Sequence, residues 1–214
     1  MQNTLRITEI FYSLQGESNT VGLPTVFIRL TGCPLRCSYC DTAYAFSGGN
    51  KKTLSEIMQQ VAGYNPQYIT VTGGEPLAQA ACHALLKQLA DNNYSVSLET
   101  SGAIDISRVD PRINIVMDLK TPSSDEEDKN NYDNIAKLAK KDQVKFVIAD
   151  SKDYQWSKDQ LIKYDLASRC EILFSPVVGQ INPTELAELI IKDNLPVRFQ
   201  IQLHKYLWND AQGK

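Results

Sequence analysis

A chain of 214 residues with 43% hydrophobic and 22% charged side chains has the balance of a water-soluble globular protein and enough length to bury one core of ordinary size. Its formal net charge of -3 gives no general attraction for polyanions, so nucleic acid is not an expected partner. No apolar run approaches the roughly 18 residues of a membrane span, and residues 1–8 lack the pattern of a secretory leader, so a cytoplasmic protein is expected. Three of the five cysteines fall at positions 33, 37 and 40, with Cys82 and Cys170 far away. An odd, unevenly spaced set suits metal or redox chemistry better than a disulfide framework.

In chain order, β-rich runs predict seven strands, at 25–30, 68–72, 96–99, 113–117, 144–148, 172–174 and 197–203. Residues ahead of the first read as a short N-terminal extension. Leu54, Ile57, Met58 and Val61 form a helical stripe behind a capping box of Thr53 and Glu56. Leu85, Leu86 and Leu89 mark a second helix. Asn182 and Pro183 read as cap and first position of a third that buries Leu186, Leu189 and Ile190. The polar, mostly acidic run 123–131 reads as a solvated loop. Without an internal repeat or a shift in composition, one domain over residues 1–214 is expected. Strands alternating with helices predict a parallel sheet. A closed eight-stranded α/β barrel takes about 250 residues, so a partial barrel is expected, with an open doubly wound sheet as the alternative.

In either architecture the chemistry belongs at the carboxyl ends of the strands. There Cys33 follows the first strand, Gly73-Gly74-Glu75 the second, Glu99-Thr100-Ser101 the third and Asp118-Leu119-Lys120 the fourth. Cys33, Cys37 and Cys40 make a C-x3-C-x2-C loop with no fourth Cys or nearby His to close a structural zinc site. A cubane iron-sulfur cluster places a thiolate on each iron, so three cysteines leave one iron open to a ligand. This spacing, with the aromatic Tyr39 before the last cysteine and Thr72-Gly73-Gly74-Glu75-Pro76 after the second strand, resembles the radical S-adenosylmethionine superfamily. The resemblance implies a (β/α)6-type partial barrel, a 4Fe-4S cluster on the three cysteines, an external electron donor, and S-adenosylmethionine bound near Tyr39, Gly74, Ser101, Asp118, Leu119 and Lys120. Cys82 and Cys170 stand outside this scheme.

A narrower resemblance covers nearly the whole chain. Ser13-Leu14-Gln15-Gly16-Glu17, Phe27-Ile28-Arg29-Leu30, Cys40-Asp41-Thr42, Glu99-Thr100-Ser101-Gly102 and His204-Lys205-Tyr206-Leu207 are similar to the 7-carboxy-7-deazaguanine synthase family. That family converts 6-carboxy-5,6,7,8-tetrahydropterin to 7-carboxy-7-deazaguanine with loss of ammonia, as a magnesium-dependent homodimer. The resemblance places Leu14, Gln15, Gly16, Arg29 and Thr72 around the substrate and magnesium at Thr42. It assigns no catalytic residue beyond the cofactors. Arg29 offers a planar fork to a carboxylate, and equally suits an ion pair with a neighbouring acid. Asp41 either caps the local backbone or supports the site, Glu99 either meets the cofactor or serves a helix end, His204 lies where a support role fits, and His83 has no role. The chain departs from the family at Asp118-Leu119-Lys120, where relatives often show Ser-Pro-Lys, and at residues 209–214, which extend past the block where relatives place a terminal carboxylate near substrate. The alternatives are an activase of glycyl-radical enzymes and a non-catalytic iron-sulfur or zinc module.

Overall fold

The computed structural model describes residues 4–209 and 211–214; residues 1–3 of the leader reading and Asp210 of the C-terminal extension lie outside the described residues. In chain order the elements are β1 (Thr4–Leu14), β2 (Pro24–Leu30), β3 (Asn50–Thr53), α1 (Leu54–Gly63), β4 (Tyr68–Gly73), α2 (Cys82–Asp91), β5 (Ser95–Thr100), β6 (Asn114–Asp118), β7 (Gln143–Ile148), α3 (Ser151–Lys163), α4 (Leu166–Arg169), β8 (Glu171–Pro176), α5 (Pro183–Lys192), β9 (Arg198–Phe199) and α6 (Leu203–Trp208). All strands join one sheet in the order β3-β1-β2-β4-β5-β6-β7-β8-β9. From β2 to β9 neighbours are parallel, whereas β1 runs antiparallel to both β2 and β3.

The parallel strands follow sequence order without the reversal that a doubly wound sheet requires. Among the described residues β3 and β9 are free edges, so this is a partial barrel. All seven predicted strands are present. The last is confined to Arg198–Phe199, and Leu203 opens α6 instead of ending a strand. Two crossovers, from β5 to β6 and from β6 to β7, carry no α-helix, only loops and short 3-10 turns.

Period-2 alternation divides the sheet into two chemically different faces. Val26, Ile28 and Leu30 of β2, Ile69 and Val71 of β4, Val96 and Leu98 of β5, Ile115 and Met117 of β6, and Val144, Phe146 and Ile148 of β7 join one hydrophobic core. Against them pack Ile57 and Val61 of α1, Leu85, Leu86 and Leu89 of α2, Leu161 of α3, and Leu186 and Ile190 of α5. Leu189 sits at the margin, partly buried. The predicted caps hold two of these helices. Thr53 accepts from Glu56 N at 3.2 Å while Glu56 accepts from Thr53 N at 2.7 Å, and Asn182 accepts from Thr184 N at 2.8 Å. The intervening positions, Arg29, Thr72, Glu99, Asp118 and Lys145 among them, face the hollow of the partial barrel.

Candidate active site

The loop after β2 is held from several sides. Gly32, at φ +98°, donates to the Ala45 carbonyl at 2.8 Å. The Arg36 guanidinium folds back onto the carbonyls of Cys33 at 2.7 Å and Leu35 at 2.6 Å and lies 4.3 Å over the Phe46 ring. Ser38 N donates to the Ser124 carbonyl at 3.0 Å, and Arg36 N to Glu126 Oε1 at 2.5 Å. The acidic run read as a solvated loop therefore braces the cysteine loop. Cys33, Cys37 and Cys40 are partly exposed and line one cavity. Burial pushes the Cys33 and Cys37 thiols up. Cys82 and Cys170 are buried elsewhere, their thiols pushed by burial to about 12 and about 11, which suits inert core residues.

Among the described residues no three His, Cys, Asp or Glu converge on a single metal ion. A cubane asks for a different arrangement, since each thiolate takes its own iron. Three cysteines on one braced loop, facing a cavity and without a fourth, fit a 4Fe-4S cluster with one iron left for a ligand.

The glycine motif is pressed against this loop. A Cβ on Gly73 (φ +144°) would enter the backbone of Leu30, and one on Gly74 would sit 2.6 Å from the Gly32 carbonyl carbon and 2.9 Å from Cys33 Cβ. Only glycine permits that approach. Gly74 N donates to Leu30 O at 3.1 Å and Glu75 N to Gly32 O at 2.8 Å. The fully buried Glu75 carboxylate then accepts from Ser101 N (2.7 Å), Ser101 Oγ (2.5 Å), Thr100 Oγ1 (2.9 Å) and Leu77 N (2.9 Å), fastening the third strand end to the second. At the fourth, Asp118 pairs with Lys120 at 2.9 Å. Its other oxygen, Oδ1, is buried without a partner among the described residues and is an acceptor open to a polar ligand. The Leu119 side chain, by contrast, is fully buried in the core and is not among the residues lining the cavity, because alternation turns the residue between Asp118 and Lys120 to the helix side.

The opposite wall comes from β1, β2 and the C-terminal segment. Leu14, Gln15 and Gly16 line it. Gln15 Nε2 donates to Thr70 Oγ1 at 2.9 Å and reaches Glu99 Oε1 at 3.4 Å, while Thr72 Oγ1 donates to Glu99 Oε2 at 2.8 Å. Glu99 therefore serves this wall and not a helix end. The Gly16 carbonyl accepts from Leu203 N at 3.0 Å, and a Cβ there would strike His204 Nδ1. Arg29 Nε donates to Glu9 Oε1 at 2.7 Å, the ion pair that was the alternative for this residue. Thr42 Oγ1 donates to Asp41 Oδ1 at 2.8 Å, and Asp41 Oδ2 takes Gln202 and Lys205, each at 3.1 Å. Burial alone would raise the Asp41 carboxyl, but Lys205 and these hydrogen bonds hold it well below the usual range. Asn209 and residues 211–214 also line the cavity.

The sequence reading gave no role to Lys145. Its ammonium lies 2.6 Å from Glu17 Oε2 and 3.8 Å from Asp118 Oδ2, and Gln202 holds the other Glu17 oxygen at 2.8 Å. Burial alone would lower Lys145, yet Glu17, Asp118 and Glu99 raise it. Burial likewise works against the Glu17 carboxylate, and Lys145 keeps it below its ordinary value. Glu99 moves the other way, raised by burial and by the neighbouring Glu17 charge. The signal was a lone lysine within the apolar run Val144–Ile148, since a charge on a buried strand needs a partner.

The residues assigned to cluster, cofactor, magnesium and substrate, Leu119 excepted, thus line one cavity of about 520 Å³, within the usual range of small-molecule sites. A family model for the radical SAM superfamily matches residues 27–154. The chain is 44% identical over 213 residues to the 7-carboxy-7-deazaguanine synthase of Chlorobaculum tepidum, covering 98% of this chain and 97% of that one. It is 40% identical to the enzyme of the same name from Methanospirillum hungatei, covering 95% and 85%. Its fold matches the crystal structure of QueE from Escherichia coli with a TM-score of 0.74 at 22% identity, over 94% and 95% of the two chains. The chain belongs to the radical S-adenosylmethionine superfamily and, within it, to the 7-carboxy-7-deazaguanine synthase family.

Proposed function

We propose that this single-domain chain converts 6-carboxy-5,6,7,8-tetrahydropterin to 7-carboxy-7-deazaguanine and ammonia, on the route to queuosine and other 7-deazapurines. The observation that carries the reading is the shared cavity: the cysteine loop and glycine motif line it together with Gln15, Arg29, Thr72 and Thr42. When bound, the cluster and S-adenosylmethionine supply a carbon radical that takes a hydrogen atom from C6 of the pterin. The protein positions the reactants and excludes water. Cys33, Cys37 and Cys40 hold the cluster, with Gly74, Ser101, Asp118 and Lys120 around S-adenosylmethionine. The Gln15 amide reads a pterin edge, and Arg29 binds the substrate carboxylate. Thr42 gives magnesium one oxygen, with the substrate carboxylate and water supplying others. Ring contraction and loss of ammonia balance without net oxidation, so the external donor serves initiation only.

No described helix is long and apolar enough to cross a membrane. A cytoplasmic homodimer completes the proposal. The test is anaerobic cluster reconstitution followed by dithionite, S-adenosylmethionine and the carboxypterin, with products identified by mass spectrometry. Formation of 7-carboxy-7-deazaguanine is the expected result. Cleavage of S-adenosylmethionine with the pterin recovered intact would instead favour the activase alternative.

A further inference from the structure

Arg29 is held more elaborately than a wall residue needs to be. In the antiparallel pair of β1 and β2, Ile7 stands opposite Leu30, but Glu9, not Thr8, stands opposite Arg29, because a β-bulge intervenes between Ile7 and Glu9. A regular ladder would put Thr8 across from Arg29 and turn Glu9 to the other face. Bulges of this kind re-aim side chains beside functional sites. Here the bulge brings a carboxylate onto Arg29 from the side. Glu9 Oε1 accepts from Arg29 Nε at 2.7 Å and from the Tyr44 hydroxyl at 2.8 Å. The guanidinium carbon lies 5.8 Å from the centroids of both the Phe11 and Tyr44 rings, and Phe11 is itself stacked on Phe27 at 4.9 Å. The guanidinium is thus fixed by its Nε edge and by rings, while neither Nη has a partner among the described residues. That leaves the end-on fork, the two parallel N–H bonds that grip a carboxylate, unused.

We propose that Glu9 is a positioning residue: delivered by the bulge, it orients Arg29 so that its free Nη fork meets the carboxylate of the pterin substrate. This rests on the reading of Arg29 given above and adds what makes the fork productive. Glu9 acts through Arg29 and does not touch substrate. Its effect is therefore confined to ligands that carry the carboxylate. The arrangement also predicts graded rescue, since glutamine keeps an acceptor for Nε and alanine does not.

The experiment is anaerobic calorimetry on cluster-loaded, S-adenosylmethionine-bound enzyme, with 6-carboxytetrahydropterin and, in parallel, tetrahydropterin lacking the 6-carboxylate. Glu9→Ala is expected to weaken binding of the carboxypterin about tenfold and of the truncated pterin less than twofold, with Glu9→Gln between parent and Ala. In an Arg29→Lys background, Glu9→Ala should add less than twofold. Equal losses for both ligands would make Glu9 a structural residue only and overturn the proposal. Tighter carboxypterin binding in Glu9→Ala would show that Glu9 competes for the fork, and would overturn it equally. If Arg29→Lys leaves carboxypterin affinity unchanged, the reading of Arg29 itself fails. If Arg29→Lys weakens it and Glu9→Ala does not, only the role of Glu9 fails. Should Glu9→Ala not fold, Tyr44→Phe reads the same contact with a two- to threefold loss confined to the carboxypterin, and no such loss would reject the proposal.

Discussion

The two walls of the cavity are built by different strategies. The wall proposed to hold the cofactors, the cofactor wall, is assembled from consecutive strand ends, Cys33 after β2, Gly74 after β4, Ser101 after β5 and Asp118 at the end of β6, each beside its neighbour in a parallel ladder. Its contacts are short-range consequences of that order, as when Glu75 reaches Ser101 across adjacent loops. The wall proposed to hold the substrate, the substrate wall, joins distant parts of the chain: Glu17 to Lys145, Gln202 to Glu17 and Asp41, and Gly16 to Leu203. Chemistry that the fold repeats at every strand end can be written in local motifs, whereas chemistry particular to one substrate is assembled by tertiary pairing.

The cofactor wall breaks most completely. Cys37→Ala is expected to abolish turnover and cluster binding, because the two remaining thiolates leave a second iron uncovered. Iron and sulfide content of the reconstituted variant checks it, with Cys170→Ala as the control that keeps its cluster. A Cys37→Ala protein with full iron would remove the distinction between the walls at its root.

The substrate wall should break in stability as well as activity. In Lys145→Met the carboxylates of Glu17 and Asp118 lose their shared cation, and an uncompensated buried charge typically costs about 3–5 kcal/mol. The sign with pH follows from the directions of the shifts. Lys145, raised in the fold, contributes fully below the ordinary lysine range and fades as pH rises from there through its folded value. Glu17, lowered in the fold, contributes above the ordinary carboxylate range and fades as pH falls through its folded value. Without Lys145, burial favours a protonated Glu17, so the variant's deficit should shrink between about pH 8 and about pH 5. Urea unfolding at both pH values measures it. A deficit independent of pH would mean lost packing and not lost charge.

The same contrast explains how much of the molecule was legible. The seven parallel strands, the capping box of α1, the Asn182 cap of α5 and the meeting of the cysteine loop and glycine motif at one cavity were readable because each is a local pattern with a physical cause. β1 was missed as a strand because its bulge breaks the alternation, with Leu5 and Ile7 buried but Ile10 the next. β3, Asn50–Thr53, is a short polar edge with two lysines, as edges are protected. α3 buries only Tyr154 and Leu161 as large apolar side chains, too sparse a stripe to count. The Leu119 side chain lies in the core because a motif names consecutive residues while the backbone sends alternate side chains to opposite faces.

A smaller effect tests where the walls meet. Thr42 follows the last cysteine yet is tied through Asp41 to Gln202 and Lys205. Thr42→Val keeps the shape and removes the oxygen, so half-maximal turnover should need roughly tenfold more magnesium, about 1.4 kcal/mol, with cluster content unchanged. Coincident magnesium curves for variant and parent would place the ion elsewhere.

The smallest effect is expected at Tyr39. Burial, then the nearby Asp118, pushes its hydroxyl up to about 12, so it is a neutral donor at ordinary pH. Its contacts are long, 3.2 Å to Thr121 Oγ1 and 3.5 Å to the Val147 carbonyl, and long hydrogen bonds contribute little. Thr121 Oγ1 already donates to that carbonyl at 2.9 Å, so removing the tyrosine hydroxyl leaves no acceptor unpaired. Tyr39→Phe should therefore cost less than about 1 kcal/mol of stability and change S-adenosylmethionine affinity less than twofold. Tyr39→Leu, which removes the ring from the cavity wall, should weaken cofactor binding several-fold. Equilibrium binding of S-adenosylmethionine to the two cluster-loaded variants separates ring from hydroxyl. A large loss in Tyr39→Phe would mean that the cofactor wall, too, depends on a tertiary hydrogen bond that its local motif does not record.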